Sequence, residues 1–166
     1  MAVAGKPRII DSNVAHLTSP APMPRYRSKT LATWIAVVGG ALGLHRFYLH
    51  GARDGIGWLH PLPTLAGLVG AIRMRELGQD DRLAWVLIPV LGLMLSLAML
   101  TAIVYGLTPD EKWDARHNPG RTGPSTGWGP VLGVILALLL GGMVLMGTVA
   151  FSGQKFFEWQ LGALPR

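Results

Sequence analysis

His45, Arg46, Tyr48, His50, Asp54 and His60 are side chains able to do chemistry, and they fall within one short stretch of the chain. Neutral imidazole is the commonest metal ligand, so metal or haem ligation is one use for such a set. His45 and His50 are five positions apart, however, and do not share a helix face as an i, i+4 pair would. Anchoring at a membrane surface and hydrogen bonding within a tight inter-helix turn needs no more than these residue types. That is the preferred reading, and no metal or other cofactor is expected. Charges in or beside a bilayer are usually paired or functional. Arg46 has Asp54 as a near partner, and an ion pair that fixes a helix hairpin is preferred over substrate binding.

No other arrangement of catalytic type is present. The chain has no Ser-His-Asp set, no His-Glu-x-x-His and no intramembrane aspartate pair. Gly39, Gly40 and Gly43 do not form a nucleotide loop, because the preceding strand and the phosphate-binding lysine are missing. With no cysteine, thiolate zinc sites, iron–sulfur clusters and cysteine nucleophiles are excluded. An enzyme is not expected.

The elements that position these residues are set by the bilayer. Of the 166 residues, 50% are hydrophobic and only 14% charged, against about 25% charged in soluble domains. Four long apolar stretches predict an all-α, multipass membrane protein with four transmembrane helices. A basic tail over 1–29, punctuated by Pro20, Pro22 and Pro24, is expected to be disordered. Residues 30–75 read as a helical hairpin. Its first helix runs over 30–49, with Gly39 and Gly43 as a close-packing pair, and its second over 54–73, broken at His60-Pro61.

Gly78 to Arg82 is a polar turn in which Asp80 or Asp81 can cap the next helix. The third helix is expected over 83–107, bent at Pro89. The loop over 108–128 opens with a helix start: Thr108 as cap, Pro109 in the first turn and Glu111 at capping-box spacing. The fourth helix is expected over 129–151. Gly129, Gly133, Ala137 and Gly141 form a stripe of small residues for helix packing along it. A tail over 152–166 follows.

Basic residues predict orientation. With four spans, Lys6, Arg8, Arg25, Arg27, Lys29, Arg73, Arg75, Arg82, Lys155 and Arg166 share one side. Arg46, Arg53, Lys112, Arg116 and Arg121 share the other. The positive-inside rule then places both termini in the cytoplasm and the 45–54 segment outside. It also accounts for the net charge of +6 without nucleic acid, which is not expected as a partner. No signal-peptide pattern is apparent, so the first helix is expected to remain as an anchor.

Lys29, Gly39, Gly40, Gly43, His45, Arg46, Phe47, Tyr48 and Leu49, followed by Gly55 and Gly57, resemble the two-transmembrane-helix (TM2) domain family over residues 29–75. His50 stands where a glycine usually follows the leucine, and Arg73-Met74-Arg75 stands where the family's second helix commonly ends in aromatic and acidic residues. The resemblance implies a small multipass protein, here placed in a bacterial inner membrane, and implies no reaction. The expected role is a structural or accessory component packed against another membrane protein or a second copy. The alternative is transport of a small molecule, ion or lipid, for which the third and fourth helices offer only Ser96, Thr101 and Thr148.

Overall fold

Asp and Ser side chains start three of the helices, and glycines end most of them. The computed structural model describes residues 25–162. Ser28 caps α1 (Lys29–Gly39), which continues as a 3-10 turn over Gly40–Leu42. Gly43, at φ 78° and ψ 11°, then reverses the chain into α2 (Leu44–His50). A residue with a Cβ is strained in this left-handed conformation, and glycine is not. Asp54 caps α3 (Gly55–Leu59), and after a break at His60 the chain continues as α4 (Pro61–Leu77). Asp81 caps α5 (Arg82–Leu107), which carries Pro89 without ending there. A short α6 (Asp110–His117) and an irregular connection lead into α7 (Gly129–Gly162).

Three helical stretches are long and apolar enough to cross a membrane: Gly55–Leu77, Arg82–Leu107 and Gly129–Gly162. The expected four spans are therefore not met among the described residues. The difference lies in the first stretch. The Tyr48 hydroxyl accepts a hydrogen bond from the Ser28 amide at 2.8 Å, and Leu49 packs with Ala32 and Trp113. Residues 28 and 48 therefore lie at the same end of the bundle, and the segment between them is a hairpin. At 1.5 Å per residue α1 and its 3-10 extension reach roughly 20 Å, short of a hydrocarbon core about 30 Å thick. The apolar helix Lys29–Leu42 is thus shorter than the three candidate spans.

This changes which loops share a side. Lys29 at the start of α1 donates to the Thr108 carbonyl at the end of α5, and Trp34 donates to the Gly129 carbonyl at the start of α7. At the opposite end Lys155 of α7 donates to the Gln79 carbonyl in the α4–α5 turn. Residues 25–28 and Gly162 thus sit at opposite ends of the bundle.

Helix α5 is the centre. Gly67 and Gly70 bring α4 directly onto the backbone and Cβ atoms of Leu91 and Leu87. On its other flank, Gly106 lies against Val134 and the Pro130 carbonyl, Gly92 against Thr148, and Met99 against Gly141 of α7. The tip of the hairpin wedges in beside them, and Ala36, Val37, Ala41, Ala98, Met99, Ala102 and Ala137 form one buried cluster. The core is built from small residues, while the large apolar side chains of α4, α5 and α7 point outward. That inversion suits a lipid solvent, where close backbone approach and not hydrophobic exclusion holds helices together.

Several finer expectations change. Residues 25–28 are ordered against α6, and the remainder of the tail expected to be disordered, 1–24, lies outside the described residues. Thr108 does not cap α6: its hydroxyl donates back to the Val104 carbonyl at 2.6 Å and closes α5. The last helix continues to Gly162, eleven residues beyond the expected end at 151, because Lys155–Glu158 and Gln154–Glu158 bonds carry the helix through its polar turn.

Gly43→Ala sets a left-handed residue with a Cβ against the Gly57 carbonyl and His60. A cost of roughly 1–2 kcal/mol from the backbone alone lowers the unfolding midpoint measured in detergent. Gly142→Ala, which meets open space, leaves the midpoint unchanged or raises it.

Candidate functional site

The chemistry-bearing residues of the 45–60 segment do converge, at the mouth and tip of the hairpin. Arg46 makes a two-pronged pair with Asp54: Nε to Oδ2 at 2.7 Å and Nη2 to Oδ1 at 3.3 Å. Asp54 also accepts from the Ile56 amide, so one carboxylate caps α3 and ties it to α2. The Arg46 guanidinium holds the Asp54 carboxyl below the usual carboxylate range. His50 Nδ1 stands 3.9 Å from the same carboxylate. Phe47 packs on Trp58 with centroids 5.2 Å apart and covers Gly57, whose missing Cβ leaves the room.

His45 is buried at the tip, with 4% of its surface exposed. Its ring meets His60 and Tyr105 edge-on, at centroid distances of 5.7 and 5.9 Å. His60 Nδ1 lies 2.8 Å from the Ile56 carbonyl, a contact that places the proton on that nitrogen and makes it the donor. His45 Nδ1 has no hydrogen-bond partner among the described residues. Among the described residues no group of three His, Asp or Glu side chains is arranged to hold a metal ion. The tip's own backbone is accounted for: Gly43 N–H donates to the Gly40 carbonyl, and the Thr64 hydroxyl donates to the Ala41 carbonyl at 2.6 Å.

A second polar cluster lies at the same end of the bundle, and sequence reading did not single it out. Asp114 accepts from the Tyr26 hydroxyl at 2.9 Å, the Asn118 amide at 2.8 Å and the Gly123 backbone N–H at 2.7 Å. Asn118 in turn accepts from the Arg27 N–H and donates to the Arg27 carbonyl, which also receives the Trp113 indole N–H. One helical turn earlier Asp110 pairs with the buried Lys29 ammonium and accepts from Thr126. The spacing of Asp110, Asp114 and Asn118 puts all three on one face of α6. That periodicity is the one signal in the sequence, and it says nothing about the distant partners.

These bonds shift the acids in a definite direction. The Gly123 N–H, with help from Asn118 and Tyr26, holds the Asp114 carboxyl below its usual range. The Lys29 ammonium does the same for Asp110. At the far end, the Arg73 guanidinium lowers Asp81, to which it is bonded at 2.8 and 3.1 Å.

The small-residue stripe of α7 is occupied inside the chain. Gly129 faces Thr30, Gly133 faces Thr33, Ala137 is fully buried and Gly141 faces Met99. The Gly39 and Gly40 positions are filled likewise, by Leu44 and Ala98. Ser96, Thr101 and Thr148 donate to carbonyls four residues back on their own helices.

Compared with protein-family models, with curated proteins and with solved structures, the chain finds no match.

A carboxylate whose pKa is lowered by folding stabilises the fold above its ordinary value of 3.8, and that contribution is lost as the pH falls through the folded value. The 25–28 segment and the 118–126 connection should therefore release together below about pH 4. At neutral pH Asp114→Asn should speed hydrogen exchange at the Arg27 and Gly123 amides roughly ten- to hundredfold, the worth of a charge-assisted bond. Unchanged exchange in this variant would mean that Asp114 does not hold the segment.

Proposed function

We propose that this chain is a non-enzymatic membrane protein of a bacterial plasma membrane, a structural or accessory component packed against another membrane protein. One observation carries the reading. Four of the acids at the two bundle ends are spent on joining this chain's own elements: Asp54 with Arg46, Asp110 with Lys29, Asp114 with the 26–123 network, Asp81 with Arg73. The hydroxyls of the spans close on their own helices. What faces outward instead is apolar, with Met143 and Met146 of α7 65% and 72% exposed and Leu65 and Val69 of α4 about half exposed. A rigid unit with apolar flanks suits an assembly partner. The likeness of residues 29–75 to the two-transmembrane-helix domain agrees with this role.

The hairpin topology also revises the proposed orientation. Arg25, Arg27, Lys29, Arg46, Arg53, Lys112, Arg116 and Arg121 belong to one end of the bundle, and Arg73, Arg75, Arg82 and Lys155 to the other. The positive-inside rule puts the richer end in the cytoplasm. The segment before α1, the hairpin mouth and the 108–128 connection are then cytoplasmic, and α7 ends outside.

Transport of a small molecule, ion or lipid is the second reading. One feature favours it, a half-depth hairpin with the His45–His60 contact at its tip, since irregular backbone at membrane depth belongs where it is buried in protein or lines a cavity. Flux into liposomes that disappears with Arg46→Ala would favour this reading over the first.

The cysteine-free chain makes both parts of the proposal testable. With the three-span topology, cysteines placed at Gln79 and Gln160 react with an impermeant maleimide on intact cells, and those at Arg53 and Pro119 react only after lysis. The opposite pattern, with a cysteine at Arg25 protected until lysis while that at Arg53 reacts on intact cells, would restore the four-span orientation. A photo-reactive residue at Met143 or Met146 should capture one membrane protein in fixed stoichiometry from native membranes. Capture of lipid alone would remove the accessory reading.

A further inference from the structure

Between α2, the end of α5 and α6 lies a cavity of about 330 Å³ whose rim is basic. Arg46, His50, Lys112, Arg116 and His117 line it, and no carboxylate does. The two sides of α6 explain this sorting. Asp110 and Asp114 turn toward Lys29, Tyr26 and Gly123, while Lys112 and Arg116 face the cavity and, among the described residues, form no salt bridge with an acid. Among the described residues, Arg46 and His50 of the lining stand beside a carboxylate, and both share Asp54. Burial lowers His117, and the Arg116 charge beside it adds to the effect, as expected where positive charge is concentrated.

The floor is apolar, formed by Leu49, Val104 and Trp113. Val104 also opens a track into the membrane. Leu93, Leu97, Leu100 and Val104 recur at intervals of three and four along α5 and so share one face. Each is between 51% and 55% exposed, and the first three border a second, almost wholly apolar groove between α5 and α7. A basic hollow at the membrane surface thus continues into an outward apolar stripe.

We propose that this cavity binds the phosphate of an anionic phospholipid, with an acyl chain laid along Leu100, Leu97 and Leu93. Basic pockets between helices on the positively charged side of a membrane protein suit such headgroups, and each Lys or Arg near the surface adds to the attraction. Arginine and lysine donate to phosphate oxygens in charge-assisted bonds, and the apolar stripe selects a ligand with a hydrocarbon tail over a free anion. The proposal rests on the membrane placement of the three spans and not on the accessory role, so a partner can be absent and the lipid still bound.

The test is native mass spectrometry of the full chain released from nanodiscs of phosphatidylcholine mixed with phosphatidylglycerol. The wild type should retain phosphatidylglycerol in preference to phosphatidylcholine. Lys112→Gln with Arg116→Gln, two exposed side chains, should reduce that retention about tenfold or more. Arg53→Gln with Arg75→Gln removes the same charge away from the cavity and should leave it unchanged. Equal retention of the two lipids, or a loss equally large in both double variants, would overturn the site. Displacement of the lipid by millimolar inorganic phosphate, with a thermal shift from phosphate alone, would make the ligand a free anion and overturn the lipid assignment.

Discussion

A backbone that turns round inside a membrane must satisfy its own polar groups there, because no water is present to do so. The rest of this architecture follows from how that requirement is met at Gly40 to Gly43. The reversal closes on itself through the Gly43 N–H and Gly40 carbonyl, and the Ala41 carbonyl takes the Thr64 hydroxyl from α4. Helix α4 must therefore lie against the tip. It does so only because α3 and α4 are separated at His60 and Gly57 has no side chain to hold Phe47 and Gly43 away. The prolines that follow His60 start α4, where their missing donors cost nothing.

The mouth of the hairpin faces the complementary problem. It sits where the apolar span ends, and it carries charges that cannot enter hydrocarbon unpaired. Arg46 and Asp54 neutralise one side, and Lys29 and Asp110 the other. The second pair is the more telling, since Lys29 is almost fully buried and its ammonium also reaches the carbonyl that ends α5. A buried lysine without an acid would carry a heavy desolvation penalty. Asp110 is thus required by the same geometry that brings α1 beside α5. The 25–28 segment, held by Asp114 and Asn118, closes the network from outside the membrane.

Both constraints leave a division of labour along the chain. Small residues meet inside, where Gly67, Gly70, Gly92, Gly106, Gly133 and Gly141 permit close approach. Large apolar residues face outward, and charge gathers at the hairpin end. The basic cavity beside α6 is the by-product of a helix whose Asp110 and Asp114 are turned to structural work on one side. Its cations are left on the other, above an apolar track.

The local chemistry of the chain was readable without a structure: its all-helical membrane character, the break at His60, a cap at Asp80 or Asp81, and the Arg46–Asp54 pair all follow from residue type and short spacing. These depend on interactions spanning a few residues, which a sequence displays directly. The direction of the chain after Gly43 was not readable. An apolar helix ending in glycines is compatible with crossing the bilayer and with turning back inside it. The choice rests on whether Thr64, Ala98 and Tyr48 are there to receive the returning segment. That choice moved the hairpin mouth to the same end as residues 25–28. Sequence by itself determined the elements and their breaks, because hydropathy and capping are local. Tertiary structure alone decided the topology, because a half-depth reversal is stable only when distant helices satisfy its backbone and pair its charges.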